Sequence, residues 1–175
     1  MVIRSYVKGD EMEPPVYSSD VEEKLVALGI SLPETANPLA LYEPVRRGGY
    51  YLYVSGQIAM SDGSLVHPGV VGESVGVDLA AQAARVCTIN GLAGVKKFIG
   101  GLDGIRLVKL SGYVASAPNF HQQPKVIDGA SQLLVDVFGP EVGMGARAAV
   151  GVSALPLGSS VEVELIFELD STVYS

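Results

Sequence analysis

A layered α/β domain, with two long helices on one face of a sheet, is the fold this sequence predicts, and three segments predict it. From Val161 to Leu169, Val161, Val163, Leu165, Phe167 and Leu169 alternate with Glu162, Glu164, Ile166 and Glu168. That two-residue period belongs to a strand with one face in the core and carboxylates on the other. From Val77 to Ile99, the residues Ala80, Ala84, Cys87, Gly91, Val95 and Phe98 recur every three or four positions, a stripe small enough for a helix to lie close on a sheet. From Pro124 to Phe138, Val126, Ile127, Leu133, Leu134 and Val137 form a broad apolar helical face. Strands and helices alternate along the chain, which is the pattern of a layered fold.

The remaining elements follow in order. Residues 1–20 read as an N-terminal extension, polar, interrupted by Pro14-Pro15 and without periodicity; residues 21–175 read as the domain. Asp20, followed three positions later by Glu23, has the form of a helix cap, and Val21, Leu25 and Leu28 share a face before Gly29. Prolines between Pro33 and Pro44 exclude regular structure there. Tyr50 to Ser55 is aromatic and β-branched, so it is expected as a strand that turns at Ser61-Asp62-Gly63 into a second near Leu65-Val66, a hairpin. Gly100-Gly101 should end the first long helix, and Ile105 to Ala115 has the apolar run of a buried strand. Pro124 suits the first turn of the second helix, and Gly139-Pro140 should stop it. A glycine-rich loop, Gly143-Met144-Gly145, leads to a strand from Arg147 to Ala154, and a turn with Pro156 and Gly158 joins it to the last strand.

Bulk properties exclude several function classes. At 175 residues the chain is long enough for one core. Charged residues make up 18%, below the roughly 25% of ordinary soluble domains, and 48% is hydrophobic, a hint of surface buried between copies. The net charge is −7, and Lys and Arg occur in runs no longer than a pair, which disfavours a nucleic-acid partner. A single cysteine, Cys87, excludes an intrachain disulfide and the zinc spacings. Its place on an apolar helical stripe makes it a core residue rather than a nucleophile. His67 and His121 fall in loops without partners at ligand spacing. No stretch approaches a membrane span, and acidic residues stand where a secretion signal would be apolar; the expected location is cytoplasmic.

The candidate chemistry centres on Arg147, a cation at the start of an otherwise apolar and small-residue strand. A guanidinium keeps its charge, and its planar fork matches a carboxylate. The bland alternative is a structural ion pair with Glu162 or Glu164. If the Leu155–Ser160 turn closes a hairpin, Glu162 lies on the neighbouring strand and approaches Arg147, where a carboxylate could position or deprotonate a water. Glu164 and Glu168 are expected to be a solvated face.

Three segments then carry a resemblance: Tyr51-Leu-Tyr-Val-Ser-Gly-Gln57, Arg147 followed by Ala148 to Pro156, and Val161-Glu-Val-Glu164. Over about Ala40 to Glu168 the chain resembles the RidA/YjgF family of enamine/imine deaminases, formerly called endoribonuclease L-PSP. The resemblance implies a chorismate-mutase-like α/β (α+β) single domain with a mixed sheet and two helices packed on one face. It also implies a homotrimer with clefts between subunits, and hydrolysis of 2-iminobutanoate- and 2-iminopropanoate-type acids to keto acids and ammonia without a cofactor. Arg147 then holds the substrate carboxylate and Glu162 orients the water, while Tyr42, Ser55, Gly56, Ala149 and Asp128 match positions that line the cleft. Ala149 stands where many members have cysteine, which removes thiol chemistry; Asp128 replaces a common asparagine and Ser131 a frequent tyrosine. An inward-pointing Asp128 would weaken anion binding. Two other functions remain: a non-enzymatic trimer that binds a small carboxylate-bearing metabolite such as a keto acid or amino acid, and an endoribonuclease, against which the acidic charge argues.

Overall fold

A computed structural model describes residues 15–34 and 41–174 of the chain. The expected arm thus lies largely outside the described residues, as does the middle of the proline-rich stretch. The strand with the two-residue period, β7 (Val161–Leu169), is central: Val161, Val163, Leu165, Phe167 and Leu169 are each at most 1% exposed. On one side it pairs antiparallel with β2 (Tyr51–Ile58), which pairs antiparallel with β1 (Val45–Gly48). On the other it pairs antiparallel with β5 (Ile105–Ala115), which pairs parallel with β6 (Ala146–Val152). The five-stranded order is β1-β2-β7-β5-β6, a mixed sheet as expected.

Both long helices form where periodicity places them. The first, α2 (Val77–Ile99), buries Ala80, Ala84, Cys87, Gly91 and Val95 and packs on β2 and β7; Phe98, at its end, stays exposed. The second, α3 (Gln123–Phe138), buries Val126, Ile127, Leu133, Leu134 and Val137, packs beside α2 and reaches β5 and β6. Only one sheet face is covered in this way. Gly100 and Gly139 receive the expected ends of the two helices, each donating its N–H to a carbonyl of the last turn. The short α1 (Val21–Ala27) buries Val21 and Leu25 but leaves Leu28 exposed.

Four sequence expectations are corrected. The strands β6 and β7 are not a hairpin: β5 lies between them, and the chain steps over it through a 3-10 turn at Pro156–Gly158. A two-residue period specifies the face a strand buries but not its neighbour, and the apolar β5 is paired along both edges. The turn at Asp62-Gly63 exists, but it joins only the two-residue strands β3 (Met60–Ser61) and β4 (Ser64–Leu65); the true partners of β2 are β1 and β7. Strand β1 escaped notice because it is a four-residue edge strand with only Val45 buried and two arginines exposed, the composition of a protected edge. Asp20 does not cap α1: its backbone is left-handed at φ 58°, and the Val21 N–H donates instead to Asp103 Oδ1 at 3.0 Å. A fourth helix, α4 (Pro140–Gly143), is a single turn at the edge of the segment expected as loop.

Candidate functional site

Arg147 sits on the outer strand of the sheet, in register with the core-facing Leu110, so its side chain runs along the helix-covered face toward α3. There Nη1 donates to Asp128 Oδ1 at 2.7 Å and to Ser131 Oγ at 3.1 Å. The two acceptors are three residues apart on α3, one turn of the same helical face. Nε and Nη2, which form the side-on edge of the guanidinium, have no partner among the described residues. That edge is the one through which Arg106 grips Glu168, with Nε at 2.6 Å and Nη2 at 2.5 Å from one carboxylate oxygen. Arg147 is therefore oriented by one nitrogen and open at two. Ala149 lies on the same strand face two residues on, half-buried against the core.

Glu162, by contrast, lies on the uncovered face of the sheet. It is in register with Ile58 on one side and Tyr113 on the other. Its carboxylate occupies the space that a side chain at Gly56 would fill: a Cβ there would stand 1.8 Å from Glu162 Oε1. Gly56 belongs to a register irregularity in β2 between Val54 and Gln57, so the sequence Ser55-Gly56 opens a seat for the glutamate. Burial, and secondarily the charge of Glu164, raise the pKa of the Glu162 carboxyl. Ser55 is held in place by its own loop, its N–H bonded to the Pro44 carbonyl at 2.9 Å and its hydroxyl to the Glu43 carbonyl at 2.7 Å. Tyr42 precedes that loop and is half exposed.

The close approach of Arg147 and Glu162 expected from a hairpin does not occur. Their register partners on β5, Leu110 and Tyr113, are three residues apart, and two strand spacings separate β6 from β7. This puts their Cα atoms on the order of 14 Å apart, with side chains on opposite faces. Neither Glu162 nor Glu164 is the ion-pair partner of Arg147; Asp128 is. Nor is the glutamate face simply solvated: Glu168 is paired with Arg106, and Glu164 accepts the Tyr113 hydroxyl at 2.9 Å. The candidates thus form two groups, Arg147, Asp128 and Ala149 at one margin of the sheet, and Glu162, Gly56, Ser55 and Tyr42 toward the other.

Sequence reasoning missed Ser131 as a ligand of Arg147 and Tyr113 as the partner of Glu164. The three-residue spacing from Asp128 could have found the first; the second required the strand register. Tyr51, Tyr53 and Val150 are each 40–49% exposed, and register places them on the uncovered face with Ile166 and Tyr113. Cys87 is fully buried, its thiol near the Val161 carbonyl at 3.5 Å, and burial pushes its pKa far up, as befits a core residue. Among the described residues no cluster of three His, Cys, Asp or Glu side chains could hold a metal ion, and no helix is long and apolar enough to cross a membrane. A cavity of about 680 Å³ beside the start of β5 contains none of the candidates. Its polar lining serves the fold: Asp103 caps α1, Ser18 binds the Leu102 carbonyl and Asp170 accepts from Thr172.

Comparison with known proteins is consistent across three kinds of relative. The family described as "YjgF/chorismate mutase-like, putative endoribonuclease" matches residues 22–169. Protein TCP17 of Trypanosoma cruzi is 41% identical over 157 residues, which span 89% of this chain and 98% of that protein. The crystal structure of Atu1372 from Agrobacterium tumefaciens, a protein of unknown function, shares 45% identity and a TM-score of 0.78, covering 86% of this chain and 92% of that one. A "putative endoribonuclease" from Shewanella oneidensis shares 36% identity and a TM-score of 0.82, covering 86% of this chain and all of that one.

Proposed function

This chain belongs to the YjgF/chorismate mutase-like family, and from that premise we propose that it is an imine deaminase, hydrolysing 2-iminopropanoate- and 2-iminobutanoate-type acids to keto acids and ammonia. The observation that carries this reading is the state of Arg147: anchored through Nη1, open along Nε and Nη2, and placed at a sheet margin where a second chain can complete the site. Held bidentately on that edge, a substrate carboxylate fixes the adjacent imine carbon in space. Glu162, with its raised pKa, is suited to take a proton from water as the oxygen adds to that carbon. The carbinolamine so formed loses ammonia after its nitrogen is protonated, leaving the keto acid. No redox change occurs, and the protons that Glu162 accepts and returns balance within the cycle.

Because Arg147 and Glu162 are too far apart in one chain, the reading requires an assembly in which Arg147 of one copy faces Glu162, Ser55 and Tyr42 of another. A homotrimer with three such clefts is the arrangement proposed, and the uncovered face bearing Tyr51, Tyr53 and Val150 is the surface that would be buried. A second reading, a trimer that binds a small carboxylate-bearing metabolite without turnover, is favoured by Ala149 and Asp128 as departures from the residues common in the family's deaminases. Cleavage of RNA, the activity in the family's description, is disfavoured by the net charge of −7.

The deciding experiment supplies 2-iminopropanoate generated in situ and follows ammonia and pyruvate release. Wild type should accelerate hydrolysis, and Arg147→Ala should remove about 100-fold or more of that acceleration. Saturable binding of pyruvate with no acceleration would establish the binding reading instead. Equal rates for wild type and Arg147→Ala would end the proposal.

A further inference from the structure

We propose that Tyr113 is a positioning residue for the deaminase reaction, acting on Glu162 through Glu164. The proposal rests on the reading of Glu162 as the base that takes a proton from water, and adds the groups that keep it basic. Tyr113 on β5 is the direct cross-strand neighbour of Glu162 on β7, so the two side chains share the uncovered face. The Tyr113 hydroxyl runs diagonally past that neighbour and donates to Glu164 Oε2 at 2.9 Å. Glu164 stands two residues after Glu162 on the same strand and the same face. On the other side, Gly56 leaves the space in which the Glu162 carboxylate lies. Glu162 is thus seated by β2, while its like-charged neighbour is tethered from β5.

The tether decides how strongly the second charge acts. A carboxylate free to rotate turns toward water, where its field is screened. Held by Tyr113, the Glu164 carboxylate stays on the sheet beside Glu162, and a like charge so close resists ionisation of Glu162 and makes it the stronger base. Glu164 is the charged group that raises the Glu162 pKa, second to burial. The Tyr113 phenol, whose own pKa is raised chiefly by its bond to Glu164, keeps the proton it donates. Other groups around Glu162 supply no comparable charge: β2 has none between Val54 and Ile58, Ser111 on β5 is neutral, and Cys87 of α2 stays protonated behind the sheet. The loop that holds Ser55 brings Tyr42 and Glu43 to the β2 side. In the proposed assembly the charge of Arg147 from another copy favours the ionised form of Glu162, and Glu164 opposes it, so the glutamate stays basic beside a guanidinium.

Carbon-13 labelling of the glutamate carboxyls in the full-length protein, with Glu162→Gln to assign the signal, reads the Glu162 titration directly by NMR. Tyr113→Phe keeps the ring and removes the tether, so the Glu162 pKa should fall. Glu164→Gln, which removes the charge, should lower it as well, and adding Tyr113→Phe to Glu164→Gln should produce no further shift, since both act along one route. In the deaminase assay the acid limb of kcat should move to lower pH in Tyr113→Phe. Its plateau should fall by about twofold to threefold with KM unchanged, as a weaker base removes the proton from water. A lower plateau with an unmoved acid limb would mark a merely structural role and overturn the proposal. So would an unmoved Glu162 titration in Tyr113→Phe, or a full Tyr113→Phe shift that persists in the Glu164→Gln background. Undiminished turnover by Glu162→Gln refutes Glu162 as the base, whatever the NMR titration shows, and Tyr113 then has no part in the reaction.

Discussion

In the proposed mechanism Glu162 serves activity at the expense of stability. Its folded-state pKa is raised, chiefly by burial and secondarily by Glu164. As pH climbs through the ordinary carboxylate range, the unfolded chain therefore gives up this proton before the folded one does. Stability contributed by the group is greatest at low pH, falls across that window, and stays lower above the folded-state pKa. Glu162→Gln removes the charge but keeps the shape over Gly56. At pH 7 it should raise the Tm by about 1–2 °C, the scale of a partly exposed substitution, and the gain should vanish near pH 3. With Glu162 acting on water, as proposed, rather than on the substrate carboxylate, the same variant should lower kcat by about 100-fold with little change in KM. A Tm gain that persists at acid pH would show that the charge is not its cause, and an unchanged kcat would remove Glu162 from the mechanism.

At the scale of elements, the helices set the geometry of Asp128 and Ser131. Residue 129 is a glycine because α3 and α2 touch there: a Cβ would stand 2.1 Å from the Ala81 carbonyl oxygen and 2.8 Å from its carbon. That neighbour is backbone and cannot rotate away, so Gly129→Ala should destabilise by about 2 kcal/mol despite the better helix propensity of alanine, lowering the Tm by about 4–8 °C. It should also displace α3 and loosen the Asp128–Arg147 pair, seen as a higher KM; a stabilised variant with normal KM would contradict this packing. Elements were legible in the sequence to the extent that their signals are local. The alternation of β7 and the stripes of α2 and α3 report which face is buried, and those faces are buried. Pairing is not local: nothing in Arg147 to Leu169 says that Ile105–Ala115 inserts between the last two strands, nor that Asp103 supplies the cap for α1. For the same reason Arg147 stood out as a cation in an apolar strand, while its real partner on α3 was visible only as a departure from a family pattern.

On the scale of the whole molecule, the division of the candidates between one sheet margin, with Arg147, and the uncovered face around the central strand, with Glu162, makes a stronger test than any single substitution. If each site takes Arg147 from one copy and Glu162 from the next, Arg147→Ala and Glu162→Gln damage opposite halves of a shared cleft. Two inactive homo-oligomers, unfolded together in equal amounts and refolded, should then form mixed assemblies in which some clefts pair an intact Arg147 with an intact Glu162. Random assortment leaves each half intact with even odds, so recovery should approach about a quarter of wild-type deaminase activity. A site contained within one chain predicts no recovery at all, because every chain in the mixture carries one of the two lesions. Chromatography of the wild type against its 18.3 kDa chain mass sets the assembly size. Val150→Glu, which adds a carboxylate to a face already bearing Glu162 and Glu164, should shift the protein toward monomer and abolish activity together. Activity in a dilute monomer would place the chemistry in one chain, about 14 Å of separation notwithstanding, and would require Arg147 to work with groups other than Glu162.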